Sequence, residues 1–578
     1  MYTKKQKLEL LRAQLDAERS TFIAHWRDLS DYVLPRRARF YTSDVNKGDR
    51  RNQKIIDSTA TLAARTLRSG LMSGITSPAR PWFKLTTPDP DLAEFGAVKE
   101  WLHTVQRIMS TSFLKSNLYN ILPTLYGDLS TFGTSPMSIE EEFSGNVFHC
   151  DSFPVGSYMI SKNRWGVVDC FIREFRLTVR QLVEHFGYDK ATNKIDWTNI
   201  SDNVKNLWDI NQKEQWVEVI HTIKPNEDYD PNKLESKYKK YSSCYYESGY
   251  GGNSNSGYDV NDKILKESGY DYFPILSPRW EVTGEDVYGT SCPGMDALGD
   301  IKQLQLGERR IFEAVDKMIK PPMVAPVALK NQSVSILPGD ITYADVRDGM
   351  QGFRPAHEVN FRIQEMEMKQ EQIRNRINKA FYVDLFLMLA NSDRRQITAR
   401  EIEERHEEKL LALGPVLEQL NQDLLDPLID AAFNIHLRQR LLPPPPKELA
   451  GMELKVEYVS VMAEAQKLIG ITGLERFTQY ASNVASFDPS VLLKIKTENL
   501  LDNYADIVSL APNILRTDEE VAAIKQAQEQ ERQAQLAMQS VQQTAQTAQA
   551  MAKTPLEQGT ALSAMLDQTN AGALTGGV

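Results

Sequence analysis

Hydrophobic positions recur at helical spacing along much of this chain, nowhere more clearly than between Ile397 and Leu425. Leu410, Leu413, Leu417, Leu420, Leu424 and Leu428 follow one another by three or four residues, which places them on one helical face. Thr398 with Glu401 makes a capping-box pattern that specifies the start. Gly414-Pro415 interrupts the pattern. Pro415 has no N–H for the carbonyl of Leu411 and its ring crowds that turn, so a kink is predicted there. Ahead of the interruption the chain is dense in charge (Glu401, Glu403, Glu404, Arg405, Glu407, Glu408, Lys409), and behind it the leucines take over. The helix is expected to pass from a solvated setting into a packed one and to bend where they meet.

The same reading extends along the chain. Leu8, Leu11, Leu15, Phe22, Trp26, Leu29 and Val33 mark an opening amphipathic helix that Pro35 ends, followed by the basic cluster Arg36, Arg37 and Arg39. Residues 54–135 read as helical segments broken by the proline-rich loop near Trp82. From Met137 to Arg176 aromatic and β-branched residues alternate, with a turn at Ser144-Gly145-Asn146, which predicts strands. Thr178 opens a short helix that Gly187 ends, and Trp216–Ile223 is a further strand.

Ile301, Leu304, Ile311, Val315 and Met318 lie on one face of a helix over 295–320, stopped by Pro321-Pro322. Ile363, Met366, Ile373 and Ile377 mark a second helix over about 359–389. Each would span about 35–45 Å at 1.5 Å per residue. Between them, 321–358 carries prolines and glycines around short extended pieces, the pattern of a small α/β or β module. Pro443–Pro446 is a hard break, followed by a strand over 454–460 and short helices to about Leu515. From Thr517 the composition turns Gln/Ala/Met-rich. Gln526–Met551 is a helix candidate, and the remainder is expected to be disordered.

The composition narrows the function. A length of 578 residues suggests roughly four domain-sized units. A charged fraction of 25% and a hydrophobic fraction of 41% are those of a soluble globular protein. The longest apolar run, Phe381–Ala390, contains Asp384 and is half the roughly 20 residues a membrane helix needs. The N-terminus lacks a signal-peptide core, so a cytosolic product is expected. Cys150, Cys170, Cys244 and Cys292 are widely spaced with no CxxC pair, the pattern of ordinary thiols rather than of a disulfide framework or zinc site. A net charge of -10 argues against a surface that DNA wraps, since wrapping needs a basic footprint.

No catalytic constellation emerges, and neither a metal nor a cofactor is expected. The glycine-rich stretch Tyr246–Asp259 lacks the GK[ST] ending of a phosphate loop and reads as an exposed loop. His406-Glu407-Glu408 has no second histidine one turn on, and no GxSxG elbow is present. Glu401, Glu404 and Glu408 suit a solvated stripe better than a metal site. Asp384 reads as a helix-surface or interface group. Trp82, Trp101 and Trp280 read as core residues rather than stacking platforms for bases.

Four segments together carry a family resemblance. They are Asp57–Leu85 (DSTATLAARTLRSGLMSGITSPARPWFKL), Tyr126–Thr134 (YGDLSTFGT), Pro278–Gln305 (PRWEVTGEDVYGTSCPGMDALGDIKQLQ) and the TAREIEER stretch at Thr398–Arg405. In that order they resemble the head-to-tail connectors, or portal proteins, of short-tailed bacteriophages, over most of residues 1–440. The resemblance implies a mainly α fold with α+β parts. Its units would be a wing over 1–295, stem helices over 296–320 and 359–389, a clip over 321–358 and a channel loop over 390–396. A kinked channel helix over 397–442, a helical crown over 443–516 and a tail over 517–578 would complete it.

It also implies a closed ring of typically about twelve subunits at one capsid vertex. The virion, with assembly in the host bacterial cytoplasm, would be the location. Expected partners are other copies of the chain, double-stranded DNA in the channel, the terminase large subunit, a head–tail adaptor, and the major capsid and scaffolding proteins, with no membrane. Asn391, Ser392, Arg394 and Arg395 would line the channel loop. The acidic face of Glu401, Glu404 and Glu408 would repel the duplex over a Debye length of about 8 Å, which suits a conduit in which DNA must slide. Two other classes compete. A nuclease or ATPase of the packaging machine would need a P-loop or a clustered acidic metal motif. A coiled-coil scaffold protein would lack the proline-broken helices and the strand-rich 137–223 region.

Overall fold

The computed structural model describes residues 2–40, 51–79, 81–89, 92, 96–143, 145–189, 194–248, 262–321, 323–324, 354–355, 362–391, 413–449, 455–458, 477–484, 500–501, 521, 524–536 and 538. The chain divides into two compact units, Met1–Ser486 and Phe487–Val578.

Helix α1 (Lys4–Tyr32) begins at Thr3, which accepts from the Gln6 N–H while the Gln6 side chain accepts from the Thr3 N–H, a complete capping box. Its apolar stripe is buried at Leu8, Leu15, Trp26 and Leu29, as the spacing predicts. Helix α2 (Thr59–Ile75) leads into strand β1 (Phe83–Thr86), followed by α3 (Gly96–Lys115) and α4 (Leu118–Phe132). Gly133 ends α4 in the left-handed region at φ 81°. Strands β2 (Met137–Glu141), β3 (Phe148–Ser152), β4 (Tyr158–Lys162) and β5 (Val168–Thr178) follow, with the predicted turn between β2 and β3. Thr178 caps the short helix α5 (Val179–Leu182), which runs into a π-turn ending at Gly187.

Helix α6 (Asp202–Asp209), β6 (Trp216–Pro225), β7 (Tyr241–Glu247), β8 (Lys266–Tyr270) and β9 (Ile275–Leu276) complete the strand-rich part. Here β8-β7-β6-β5-β4 form one antiparallel sheet and β9-β2-β3 another. Tyr246, read as the start of an exposed loop, is buried in β7, because the sheet register takes it inward. Residues 249–261 of that stretch lie outside the described residues.

Two long helices come next, α7 (Pro293–Ile319) and α8 (Ile363–Ala380), then α9 (Val383–Asn391). The short strands β10 (Met323–Val324) and β11 (Arg354–Pro355) pair antiparallel, so the chain returns beside the point where it left α7. One continuous helix over 359–389 is corrected. Tyr382 takes φ 54°, a left-handed conformation that ends α8 and lets α9 start in a new direction. Asp384 is exposed in the first turn of α9, where a carboxylate suits the positive end of the helix.

Residues 413–420 are helical, Asn421–Leu425 form a π-turn, and α10 (Asp426–Arg438) continues the same helix. Beyond the proline run, β12 (Lys455–Tyr458) pairs antiparallel with β1, tying this stretch back to the first hundred residues. Within the second unit, residues 524–536 are helical.

The largest core joins α2, α3 and α4 to the first half of α7, to α8 and α9, and to the 413–438 helix. The second packs the sheet against the C-terminal part of α1, with Trp26 edge-on to Tyr288 at 5.1 Å between ring centroids. Trp82 and Trp280 are buried in the largest core, and half-buried Trp101 donates its indole N–H to the Pro443 carbonyl at 3.1 Å. All four cysteines are free and buried, and burial pushes the thiols up, Cys292 to about 12 and Cys244 to about 11. Such thiols stay protonated and act as small core residues.

Candidate functional site: the long helices and the nodes that fix them

Helices α7 and α8 run side by side in opposite directions, since Arg376 near the end of α8 pairs with Asp300 near the start of α7 at 2.8 Å while Gly307 lies against Gln370. Their shared face is apolar near the core, where Ile301, Leu304, Ile373 and Ile377 are buried. Farther along α7 the burial stops. Phe312 is 63% exposed, Ile319 70%, and Leu306 and Met318 nearly half. The face predicted from Ile301 to Met318 is therefore buried only in its first half, because α8 is the neighbour there and no described residue covers it beyond. An exposed apolar ridge of this kind marks an interaction surface.

Three polar nodes each join segments far apart in sequence, and the first of them fixes α7 and α8. At the first, Gln305 of α7 accepts from the Ile56 and Asp57 N–H groups at 2.6 and 2.8 Å and donates to the Asp57 carbonyl. The Asp57 carboxylate accepts from Arg374 Nε of α8 at 2.9 Å, and Arg374 Nη2 also reaches Glu308 at 2.7 Å. Burial pushes the Asp57 carboxyl up, but the Thr59 and Arg374 hydrogen bonds more than offset that and hold it below its ordinary value of 3.8.

At the second node Arg37 grips Asp128, the buried acid of the Tyr126–Thr134 segment, through both Nε and Nη2. Burial pushes that carboxyl up and the guanidinium opposes the shift. The third joins Arg279 to Asp423 inside the π-turn, with Nε to Oδ2 at 2.9 Å and Nη2 to Oδ1 at 3.1 Å, both side chains buried. Arg279 Nη2 also donates to the Gly166 carbonyl at 2.9 Å.

Two of the resembling segments cross backbone to backbone. Trp280 N–H donates to the Gly133 carbonyl at 2.8 Å, and Gly289 N–H donates to Thr134 Oγ1 at 2.7 Å. A Cβ on Gly133 or Gly289 would collide with the other strand's backbone, so only glycine permits the crossing. The chemistry of these segments is thus structural. Among the described residues no group of three or more His, Cys, Asp or Glu is placed to hold a metal. Buried His436 donates Nδ1–H to the Ala432 carbonyl at 2.7 Å and shares a hydrogen bond with Ser112, fastening α10 to α3, and burial holds it neutral.

The residues expected to act on DNA fare unevenly. Asn391 is the last residue of α9, while Ser392, Arg394, Arg395, Glu401, Glu404 and Glu408 lie outside the described residues, as does the Thr398 cap. Gly414 and Pro415 sit at the start of the described part of their helix, with Pro415 exposed and open space beside Gly414. Downstream the leucine stripe is buried at Leu413, Leu420, Leu424 and Leu428, with Leu417 half-buried.

Sequence reasoning missed the π-turn. Its signal is Asp426-Pro427, since Pro427 has no N–H for the carbonyl of Asp423 and a single wide turn accommodates the loss. It also missed Asp57, Arg279, Arg374 and Asp423, whose partners no local pattern reveals.

The family model for "Bacteriophage head to tail connecting protein" matches residues 5–515. The chain is 47% identical over 569 residues to the portal protein of Salmonella phage epsilon15, covering 98% of this chain and 99% of that one. It is 42% identical over 534 residues to a probable portal protein of Bordetella phage BPP-1, covering 92% and 93%. Among the described residues no helix is long and apolar enough to cross a membrane. The mainly α architecture, the order of the resembling segments and the near-complete match agree: the chain belongs to the bacteriophage head-to-tail connecting protein family, with the function of a phage portal.

Proposed function

We propose that this chain is the subunit of a closed ring at the unique capsid vertex, through which genomic DNA is packaged by the terminase and later ejected. The observation that carries the reading is the match along nearly the whole length to a phage portal protein. The exposed ridge of α7 supports it, because Phe312, Met318 and Ile319 are left uncovered by the described residues and suit a neighbouring copy. Contacts of one copy's face with a different face of the next either close into a ring or run on as a filament.

In this reading α7 and α8 are the stem, residues 321–358 the clip that meets terminase and head–tail adaptor, and 1–295 the wing. The channel loop is 390–396, the 397–442 helix lines the bore, and the chain from 443 onward forms crown and tail. Capsid and scaffolding proteins surround the ring, about twelve copies build it, and the subunit has no catalytic activity of its own. Arg394 and Arg395 approach the DNA, and Glu401, Glu404 and Glu408 keep the wall from gripping it. Negative-stain imaging with mass photometry tests the reading. A centrally pierced ring of uniform mass is expected; a stable monomer, or ATP hydrolysis by the purified protein, would overturn it.

A further inference from the structure

We propose that the Arg279–Asp423 pair is a positioning clamp that holds the 413–438 helix in its π-turn register, and that this register is needed for the ring to retain DNA; the second half rests on the portal reading above. A π-turn carries one residue more than the α-helical turn it replaces. Its presence rotates the preceding segment by about 100° relative to a continuous α-helix. Here the wide turn is Asn421–Leu425, and both Leu424 and Leu425 are buried within it.

Pro427 makes a wide turn acceptable by removing one backbone donor, but it does not select the rotation of what precedes it. Asp423 does, because its carboxylate is caught by two nitrogens of one planar guanidinium, a geometry that tolerates little rotation. Gln419, one turn back, donates to the same carboxylate at 2.8 Å and ties the upstream α segment to the clamp.

The anchor is itself fixed. Arg279 Nη2 donates to the Gly166 carbonyl, and Gly166 stands at φ 81° in the tight turn between β4 and β5, where Asn163 accepts from the Trp165 and Val167 N–H groups. Thr134 pairs with Arg279 through the backbone on the opposite side. A buried ion pair is a poor device for stability alone, since an apolar pair of similar volume commonly does as well. Fixing one register against another is the use for which such pairs are best attested.

The test compares wild type, Arg279→Lys, Asp423→Asn and Pro427→Ala as full-length protein. Each is read by cryo-electron microscopy of the helix, by thermal unfolding, and by genome retention in particles that have packaged DNA. Lysine cannot form the two-nitrogen fork and asparagine cannot hold its charge partner, so both variants are expected to assemble with the segment before Asn421 rotated or present in two registers. DNA retained per filled particle is expected to fall at least tenfold in both. Pro427→Ala, with the clamp intact, should keep the π-turn and retain DNA.

Loss of the π-turn in Pro427→Ala alone, or its persistence in both clamp variants, would overturn the positioning role. Normal retention in a clamp variant whose register has shifted would overturn the link to DNA. Failure of wild type to form rings would overturn the portal reading and leave the register measurement on the helix standing as its own test.

Discussion

At the residue scale, the acids that matter are those whose partners lie far away in sequence. Asp128 is buried with Arg37 as its hydrogen-bonded partner, so Arg37→Ala leaves its charge with only the Coulombic pull of Arg68. Arg37 itself is about one-third exposed, and the expected loss is on the order of 3 kcal/mol, the low end for a broken buried pair. Adding Asp128→Asn should recover at least about 1 kcal/mol, because a neutral amide costs less to bury than a carboxylate. Urea unfolding measures both, and a double variant less stable than Arg37→Ala would refute the argument. Asp57 adds a pH dependence. Its carboxyl is depressed in the folded state, so its contribution is present above the unfolded value and is lost as pH falls through the folded one. The gap in melting temperature between wild type and Asp57→Asn is therefore expected to be full above about pH 5 and to close at lower pH. A gap constant down to about pH 3 would show that the carboxylate's charge contributes nothing. None of this was legible in the sequence, where Arg37 was one of a basic cluster and Asp57 merely opened a motif.

At the scale of elements the sequence was far more readable, since helical and strand periodicities are local. The opening helix, the strands of 137–176, the Thr178 cap and the leucine stripe from Leu413 on stand where the spacing puts them, while Leu410 lies outside the described residues. The failures are also physical. A left-handed Tyr382 splits the second long helix, and nothing in an apolar run such as Phe381–Ala390 announces that break. The π-turn has its local signal in Pro427, but a proline there is equally compatible with a kink, and the wide turn is fixed by the distant Arg279. Close helix contacts supply a prediction at this scale. A Cβ on Gly70 of α2 would strike the buried Phe386 ring of α9, whereas one on Gly307 of α7 would meet the amide end of Gln370. A packed ring cannot give way, but a flexible amide can swing. Gly70→Ala is expected to destabilise by about 1–3 kcal/mol through overpacking. Gly307→Ala should stay within about 1 kcal/mol of wild type, helped by alanine's better helix propensity. Equal shifts in melting temperature for the two would contradict this account of how α9 seats on α2.

At the scale of the whole molecule, the family was legible because four segments stood in order, and in the three that lie among the described residues, glycines and acids such as Gly133, Gly289, Asp57 and Asp128 build crossings and nodes. The ring and its bore were not legible in that sense, for they belong to an assembly whose contacts one chain does not display. Two outcomes would expose them. Phe312→Ser with Ile319→Ser removes the most exposed large side chains of α7 without touching its buried half. The protomer should melt as wild type does while mass photometry shows the ring lost, since an aromatic anchor of this size buries about 150–250 Å² when covered; rings of normal mass would place the assembly face elsewhere.

The proposed channel loop over 390–396 gives the second outcome. Arg394 and Arg395, repeated around a ring of about twelve subunits, would put roughly two dozen positive charges at one constriction of an acidic tube. Charges at a loop tip that faces the bore would contribute little to folding, so on this proposal replacing both with alanine should leave assembly and melting unchanged. The loss should appear as slower packaging or leakage of packaged DNA, and it should be steeper at low salt, where phosphate contacts are strongest. Normal packaging and retention by the double variant, at low and at high salt alike, would remove these arginines from the path of the DNA.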